Sequence, residues 1–166
     1  MNKILVAYSS VTGNTKKVAT AISEALEGSQ LKDIKDVETL DYDVIIVGAW
    51  IRRSTADPKA LAFIDTIKNK KTAFFFTLGA YPDSEYATRC IKNITEALEK
   101  NGNEVLGHFH CHGALSDAII QRALKRPAGD PHGPTEERMK RWKDASTHPD
   151  ATDLKNAQEY FSNIIK

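Results

Sequence analysis

A loop near the start of the chain carries the residue types that bind phosphate. The segment Ser9-Ser10-Val11-Thr12-Gly13-Asn14-Thr15 holds four hydroxyl side chains and one amide within seven residues. It follows an apolar run from Ile4 to Tyr8 and leads into residues with helical spacing. The first amides of a helix have no intrahelical partner, so a phosphate placed there would accept hydrogen bonds from amides and hydroxyls alike. Gly13 would permit close approach of the backbone. An ordinary turn, with Thr12 or Asn14 as helix cap, is the alternative.

The absence of two known motifs from this loop excludes two classes of phosphate site. Neither G-x-x-x-x-G-K-[ST], which binds triphosphates, nor the dinucleotide motif G-x-G-x-x-G occurs in this loop. A loop without lysine suits a terminal monophosphate better than a triphosphate with magnesium.

Ser-Ser-x-Thr-Gly-Asn-Thr after an N-terminal strand resembles the phosphate loop of flavodoxins, which bind flavin mononucleotide (FMN). By order of elements the resemblance covers about residues 1–125, and it implies FMN as the cofactor. The matching positions, and hence the predicted phosphate ligands, are Ser9, Ser10, Thr12, Gly13, Asn14 and Thr15.

Two later loops are the places where the family contacts the flavin ring. After the second buried strand the resemblance predicts contacts from Ala49, Trp50, Ile51 and Arg52, with Trp50 stacked on the ring. After the third it predicts contacts from Thr77, Leu78, Gly79, Ala80 and Tyr81. The alternatives are that Trp50 packs in the core and that residues 77–81 only cap a helix.

The second loop departs from many flavodoxins in two ways. Ile51 stands where a glycine often permits a peptide flip, so we expect weak stabilisation of the one-electron-reduced flavin. Arg52 and Arg53 replace the acidic residues often found near the ring. These arginines could favour anionic reduced flavin, hold a carboxylate substrate or simply be solvated.

The elements that must position these loops alternate between strand and helix. Buried strand runs precede Ser9, Gly48 and Gly79, a further strand covers Val105 to Cys111, and a weak strand is predicted at Val37–Leu40. Alternation predicts an α/β fold: a doubly wound five-stranded parallel sheet with helices on both faces, for which the resemblance implies the order 2-1-3-4-5. Ligands of such sheets bind beyond the carboxyl ends of the strands, here the loops 9–14, 48–57, 78–84 and 111–116.

Three histidines share one face of the last strand. His108, His110 and His112 alternate with Phe109 and Cys111. Metal binding, a role near the flavin and a solvated edge are all open interpretations.

The whole chain is consistent with one domain spanning residues 1–166, in which 126–150 is an added loop-helix segment. Its net charge of +1 gives no reason to expect nucleic acid or a membrane surface as partner. Two cysteines outside any C-x-x-C motif favour a cytoplasmic protein without disulfides. The N-terminal apolar run is too short for a signal peptide or a spanning helix.

The function predicted from these residues is an FMN-binding redox protein that transfers electrons to a partner reductase. An FMN-dependent oxidoreductase acting on a quinone or tetrapyrrole-like small molecule is one alternative. A non-catalytic binding domain of the same fold is another, although the paired aspartates of a response-regulator receiver are missing after the first strand.

Overall fold

The computed structural model describes residues 2–166 of the chain. Its strands are β1 (Ile4–Tyr8), β2 (Gln30–Asp33), β3 (Val44–Arg52), β4 (Thr55–Ala56), β5 (Lys71–Leu78) and β6 (Glu104–His112). Its helices are α1 (Asn14–Ala25), α2 (Pro58–Thr66), α3 (Glu85–Glu99), α4 (Asp117–Leu124), α5 (Glu136–Ala145) and α6 (Ala151–Ile164). A short 3₁₀ turn covers Ile34–Asp36.

The five main strands form a parallel sheet in the order β2-β1-β3-β5-β6. Numbered without the two-residue β4, this is the predicted order 2-1-3-4-5, and the predicted fold class is confirmed. β4 lies outside the parallel set and pairs antiparallel with the end of β3.

Two apolar cores lie on opposite faces of the sheet. On one face α2 and α3 cover the strands with residues such as Ile64 and Ile94. On the other, α1 and α6 contribute Ile22 and Phe161. Because both faces are covered, the central strands are continuous apolar runs, and β1 is buried throughout.

Two sequence-based strand assignments were wrong. The second strand is Gln30–Asp33 and not Val37–Leu40; it is a half-exposed edge strand, so burial imposes no apolar run on it. Val37 and Leu40 instead pack against the core from a connecting segment.

The end of β3 was also misplaced. Gly48 does not end the strand, which continues to Arg52 and turns back through Arg53 and Ser54, both at positive φ. Gly48 is an interior residue of the strand. Glycine is needed there because the ring of Phe75 on β5 occupies the space that a side chain would need.

The segment 126–150 packs beside the carboxyl ends of the strands. It contains α5, whose Trp142 and Ala145 are buried. Among residues 2–166, every helix is too short or too polar to cross a membrane.

Candidate functional site

A cleft of about 310 Å³ lies beyond the carboxyl ends of β1, β3, β5 and β6. All four loops that follow these strands contribute to it, as expected for a parallel sheet at the point where strand order reverses. It is lined by Ser10, Val11, Thr12, Asn14, Thr15, Trp50, Ile51, Thr77, Leu78, Gly79, Gly113, Ala114, Leu115, Ser116 and Ile119.

One end of the cleft is the N-terminus of α1. Its N-cap is Gly13, with φ of 97°, which has no side chain to accept from the helix amides. The Ser10 Oγ accepts from the Gly13 amide at 3.1 Å and from the Lys16 amide at 3.3 Å, so its own proton is free to be donated elsewhere. The amides of Asn14 and Thr15 remain without an acceptor among residues 2–166. The site therefore offers amide and hydroxyl donors together with the positive end of a helix dipole.

The N-terminus of α2, which also lies at this edge of the sheet, is capped by a side chain. Asp57, fully buried, accepts from the amides of Lys59 and Ala60 at 3.1 Å. The same carboxylate accepts from Ser9 Oγ at 2.8 Å and from the Trp50 amide at 3.3 Å. Asp57 therefore joins the first loop to the second and occupies the Ser9 hydroxyl.

Two further hydrogen bonds join the remaining loops. Asn14 Nδ2 donates to the Ala114 carbonyl at 2.8 Å, and the buried Thr15 and Thr77 hydroxyls lie 2.9 Å apart. The Ala114 amide in turn donates to the His148 carbonyl at 2.9 Å. The loop after β6 is thereby held between the first loop and the segment 126–150.

The second loop is held as a hairpin. The Trp50 carbonyl accepts from the Asp57 amide at 2.9 Å, and Ile51 pairs with Ala56. Trp50 is partly buried and contributes a broad apolar wall to the cleft. A flip of the Trp50–Ile51 peptide would break the bond to Asp57, so the structure gives a second reason, besides the β-branched Ile51, to expect a fixed peptide here.

A second cleft of about 490 Å³ adjoins the first. The two share Ile51, Leu78, Gly79 and Leu115. Tyr81 lines only the second, because its hydroxyl donates to Asp144 of α5 at 2.8 Å.

The structure brings together most of the residues predicted from the sequence. Nine line the first cleft: Ser10, Thr12, Asn14, Thr15, Trp50, Ile51, Thr77, Leu78 and Gly79. Ala80 and Tyr81 line the second. Outside both clefts lie Ser9, bound to Asp57; Gly13, the cap of α1; Ala49, in the core; and Arg52, exposed in the hairpin.

Some lining residues were not among those predicted. Gly113, Ala114, Leu115, Ser116 and Ile119 come from the last strand's loop and α4, and Arg141 comes from α5. The position of residues 111–116 after a strand was the only signal for the first group, since small and apolar residue types carry no chemical signature. For Arg141 the sequence held no signal.

The prediction that the three histidines share one face of the strand is confirmed: they pair with Phe74, Phe76 and Leu78 of β5 on the edge strand, and His108 and His110 are partly buried while His112 is buried. His108 stacks on Phe74 and His110 on Phe76, with centroids 5.4 and 5.0 Å apart. The Nε2 of His110 donates to the Pro82 carbonyl at 2.7 Å and that of His112 to the Gly79 carbonyl at 3.0 Å, since a carbonyl can only accept. Within residues 2–166, the potential metal ligands that cluster are His148, Asp150 and Asp153, and the three rings of this face are not among them.

The partly buried His108 ring and the buried His112 ring should make stability depend on pH. Burial lowers the pKa of His108 and His112 below the ordinary value of 6.5, and His110 lowers that of His108 further. As pH falls through the unfolded value of 6.5, the unfolded chain takes up protons before the folded rings do, so the contribution of these two rings to the free energy of unfolding should be constant well above that pH and decrease below it. Urea unfolding at a series of pH values measures this slope.

A His108→Gln/His112→Gln variant should flatten that slope, whereas replacing the exposed His132 with glutamine should leave it unchanged. An equal slope in the double variant and the parent would contradict the assignment.

The fold and this site define the class of protein, and comparison with known proteins agrees. Residues 5–162 match the family model described as a flavodoxin domain. The chain is 31% identical to a flavodoxin-like domain-containing protein, BilS, of Clostridioides difficile, over 98% of this chain and 96% of that protein. It is also 31% identical to a flavodoxin of Maridesulfovibrio salexigens, over 64% of this chain and 83% of that one. A Lactobacillus acidophilus flavoprotein in complex with FMN has a similar fold, with TM-score 0.55 and 18% identity over 74% of this chain and 98% of that one.

The chain belongs to the flavodoxin family. The family assignment made from the phosphate loop is thus confirmed, together with FMN as the cofactor of that family.

Proposed function

We propose that this chain binds FMN in the first cleft and passes electrons from it to a partner reductase. The observation that carries the proposal is the open N-terminus of α1, where helix amides and the Ser10 hydroxyl are available to an anion. That end suits the phosphate of FMN, and the apolar end of the cleft suits its ring.

The positions of the lining residues support a role for each of them in holding the cofactor. Ser10, Thr12, Asn14 and Thr15 surround the phosphate with hydroxyl and backbone donors. Trp50 offers an indole face to the ring, and Gly79 brings the backbone of the third loop to its edge. When bound, FMN supplies the redox chemistry, and the protein supplies orientation and electrostatics.

The lining of this cleft favours a carrier over an enzyme. Among residues 2–166, none of the fifteen lining side chains is acidic, basic or histidine. A cleft without such a group has no protein acid or base to move a proton to or from a substrate beside the flavin. Electron transfer to another protein does not require such an acid or base.

A second candidate is an FMN-dependent oxidoreductase acting on a small molecule, such as a quinone or a tetrapyrrole-like compound. The adjoining cleft favours it, because four residues are shared and a molecule bound there would lie beside the flavin.

We further infer that residues 1–166 act as one flavodoxin-like domain, with 126–150 an addition at the rim of the site. Buried Trp142 and the bond from Tyr81 to Asp144 support this. The two cysteines are free and buried, which fits a reducing cytoplasmic setting.

The test begins with the visible spectrum of the purified protein and titration of its apo form with FMN. We expect flavin bands and quenching of flavin fluorescence at one FMN per chain. The reduced protein should then be mixed, without oxygen, with cytochrome c and separately with a quinone. A carrier should reduce the cytochrome rapidly; rapid turnover of the quinone alone would favour the enzyme. A folded protein that ignores FMN would refute both and leave a non-catalytic binding domain.

A further inference from the structure

The second cleft has one charged residue in an otherwise uncharged lining. Its apolar walls are Ile51, Leu78, Ala80 and Leu115, and its remaining members are Gly79, Tyr81, Ser84, Tyr86 and Arg141. Within the described chain, residues 2–166, Arg141 is the only member that carries a charge.

Two of the three hydroxyl groups of this cleft already donate within the protein. Tyr81 donates to Asp144, and Ser84 Oγ donates to the Tyr81 carbonyl at 2.6 Å. The Tyr86 hydroxyl accepts from the Ser54 amide at 2.9 Å and keeps its own proton. A ligand would therefore find two donors, the guanidinium and the Tyr86 hydroxyl.

Arg141 itself is left without a partner. Its Nε is buried and makes no hydrogen bond among residues 2–166, and none of the ion pairs there includes it. The neighbouring cations of α5 differ: Lys140 pairs with Asp144 at 2.9 Å, and Arg138 donates to the Gly133 carbonyl at 2.8 Å. Arg141 is half-buried, and because no carboxylate or carbonyl of residues 2–166 accepts from it, its guanidinium is available to an anionic ligand in this cleft.

We propose that the second cleft binds an apolar small molecule bearing a carboxylate, which Arg141 holds. The two terminal nitrogens of the Arg141 guanidinium form a fork that matches a carboxylate bidentately. The apolar walls then cover the rest of the molecule. The residues shared with the first cleft place this ligand beside the flavin, so the assignment of a substrate class rests on the proposed FMN binding.

The test measures binding of 2-naphthoate and benzoate by calorimetry to the FMN-loaded protein, and to the apoprotein. The uncharged 2-naphthalenemethanol is the matched probe without a carboxylate. We expect 2-naphthoate to bind the parent, and Arg141→Met, which keeps the side-chain length, to weaken that binding at least about tenfold. Binding of 2-naphthalenemethanol should be weaker in the parent and unaffected by the substitution.

The control is Lys143→Gln, which removes one exposed positive charge from the same helix and should change 2-naphthoate binding less than about twofold. Failure of both carboxylates to bind, or equal binding by the parent and Arg141→Met, would overturn the proposal. FMN retention is scored separately in every variant. If the protein binds 2-naphthoate through Arg141 but never takes up FMN, the proposed function is refuted and the carboxylate site is supported. If the FMN-loaded protein binds neither carboxylate, the carboxylate site is refuted and FMN binding is supported.

Discussion

Replacing Ser10 and Thr12 together with alanine should weaken FMN binding by about 10²- to 10⁴-fold, because two hydrogen bonds to a charged phosphate are each worth roughly 1.5–3 kcal/mol. Both residues line the phosphate end of the cleft, and the Ser10 Oγ also orders the Gly13 and Lys16 amides. Titration of the apoprotein with FMN, followed by flavin fluorescence, gives the affinity.

Riboflavin, which lacks the phosphate, makes this prediction specific. Its affinity should be equal in the parent and in Ser10→Ala/Thr12→Ala, since the ring end of the cleft is untouched. The matched control variant is Thr152→Ala/Ser162→Ala, which removes two exposed hydroxyls on α6 and should bind FMN as the parent does. Unchanged FMN affinity in the site variant, or an equal loss for FMN and riboflavin, would show that the phosphate lies elsewhere.

Replacing Asp57 with alanine should lower the free energy of unfolding by roughly 2–5 kcal/mol, the sum of a lost helix cap and buried donors left without an acceptor. The carboxylate is fully buried and accepts from Ser9, Trp50, Lys59 and Ala60. Urea unfolding, followed by tryptophan fluorescence, measures the loss. Asp57→Asn should cost less, because its amide oxygen can still accept from the α2 amides.

Asp33 provides the comparison for this prediction. It caps the short turn Ile34–Asp36 through one bond, from the Lys35 amide at 3.0 Å, and it is only partly buried. Its replacement by alanine should cost about 0.5–1 kcal/mol. Equal losses for Asp33→Ala and Asp57→Ala would mean that Asp57 is only a cap and does not join the first two loops.

The loops that form the first cleft are held together by hydrogen bonds. Each of these loops ends a different strand, and hydrogen bonds between loops fix their spacing: Ser9 to Asp57, Asn14 to Ala114, and Thr15 with Thr77. A cleft built this way is set before the cofactor arrives, which lowers the cost of ordering side chains on binding.

The added helix α5 places charged side chains at the carboxyl edge of the sheet. Its Asp144 accepts a hydrogen bond from the Tyr81 hydroxyl, and its Arg141 supplies a cation to the second cleft. Arg52, proposed from the sequence as a carboxylate ligand, is instead exposed at the end of the β3–β4 hairpin. The carboxylate-binding role considered for Arg52 is the role that we propose for Arg141.

The sequence by itself determined the parallel sheet, the phosphate loop and most of the first cleft. These depend on local patterns: apolar runs in β1, β3 and β5, helical spacing after Gly13, and the rule that loops at the carboxyl ends of parallel strands meet. The edge strand β2 was not predicted, because a half-exposed strand needs no apolar run.

Tertiary structure alone decided the partners of individual polar groups. The Ser9 hydroxyl could have met a phosphate, but it meets Asp57, 48 residues away. Tyr81 meets Asp144 across 63 residues, and Arg141 lines a cleft whose other walls come from residues 51–86 and the loop after β6. Burial and hydrogen bonding act between residues that folding brings together, and residue type and spacing along the chain do not specify which distant group will satisfy a given donor.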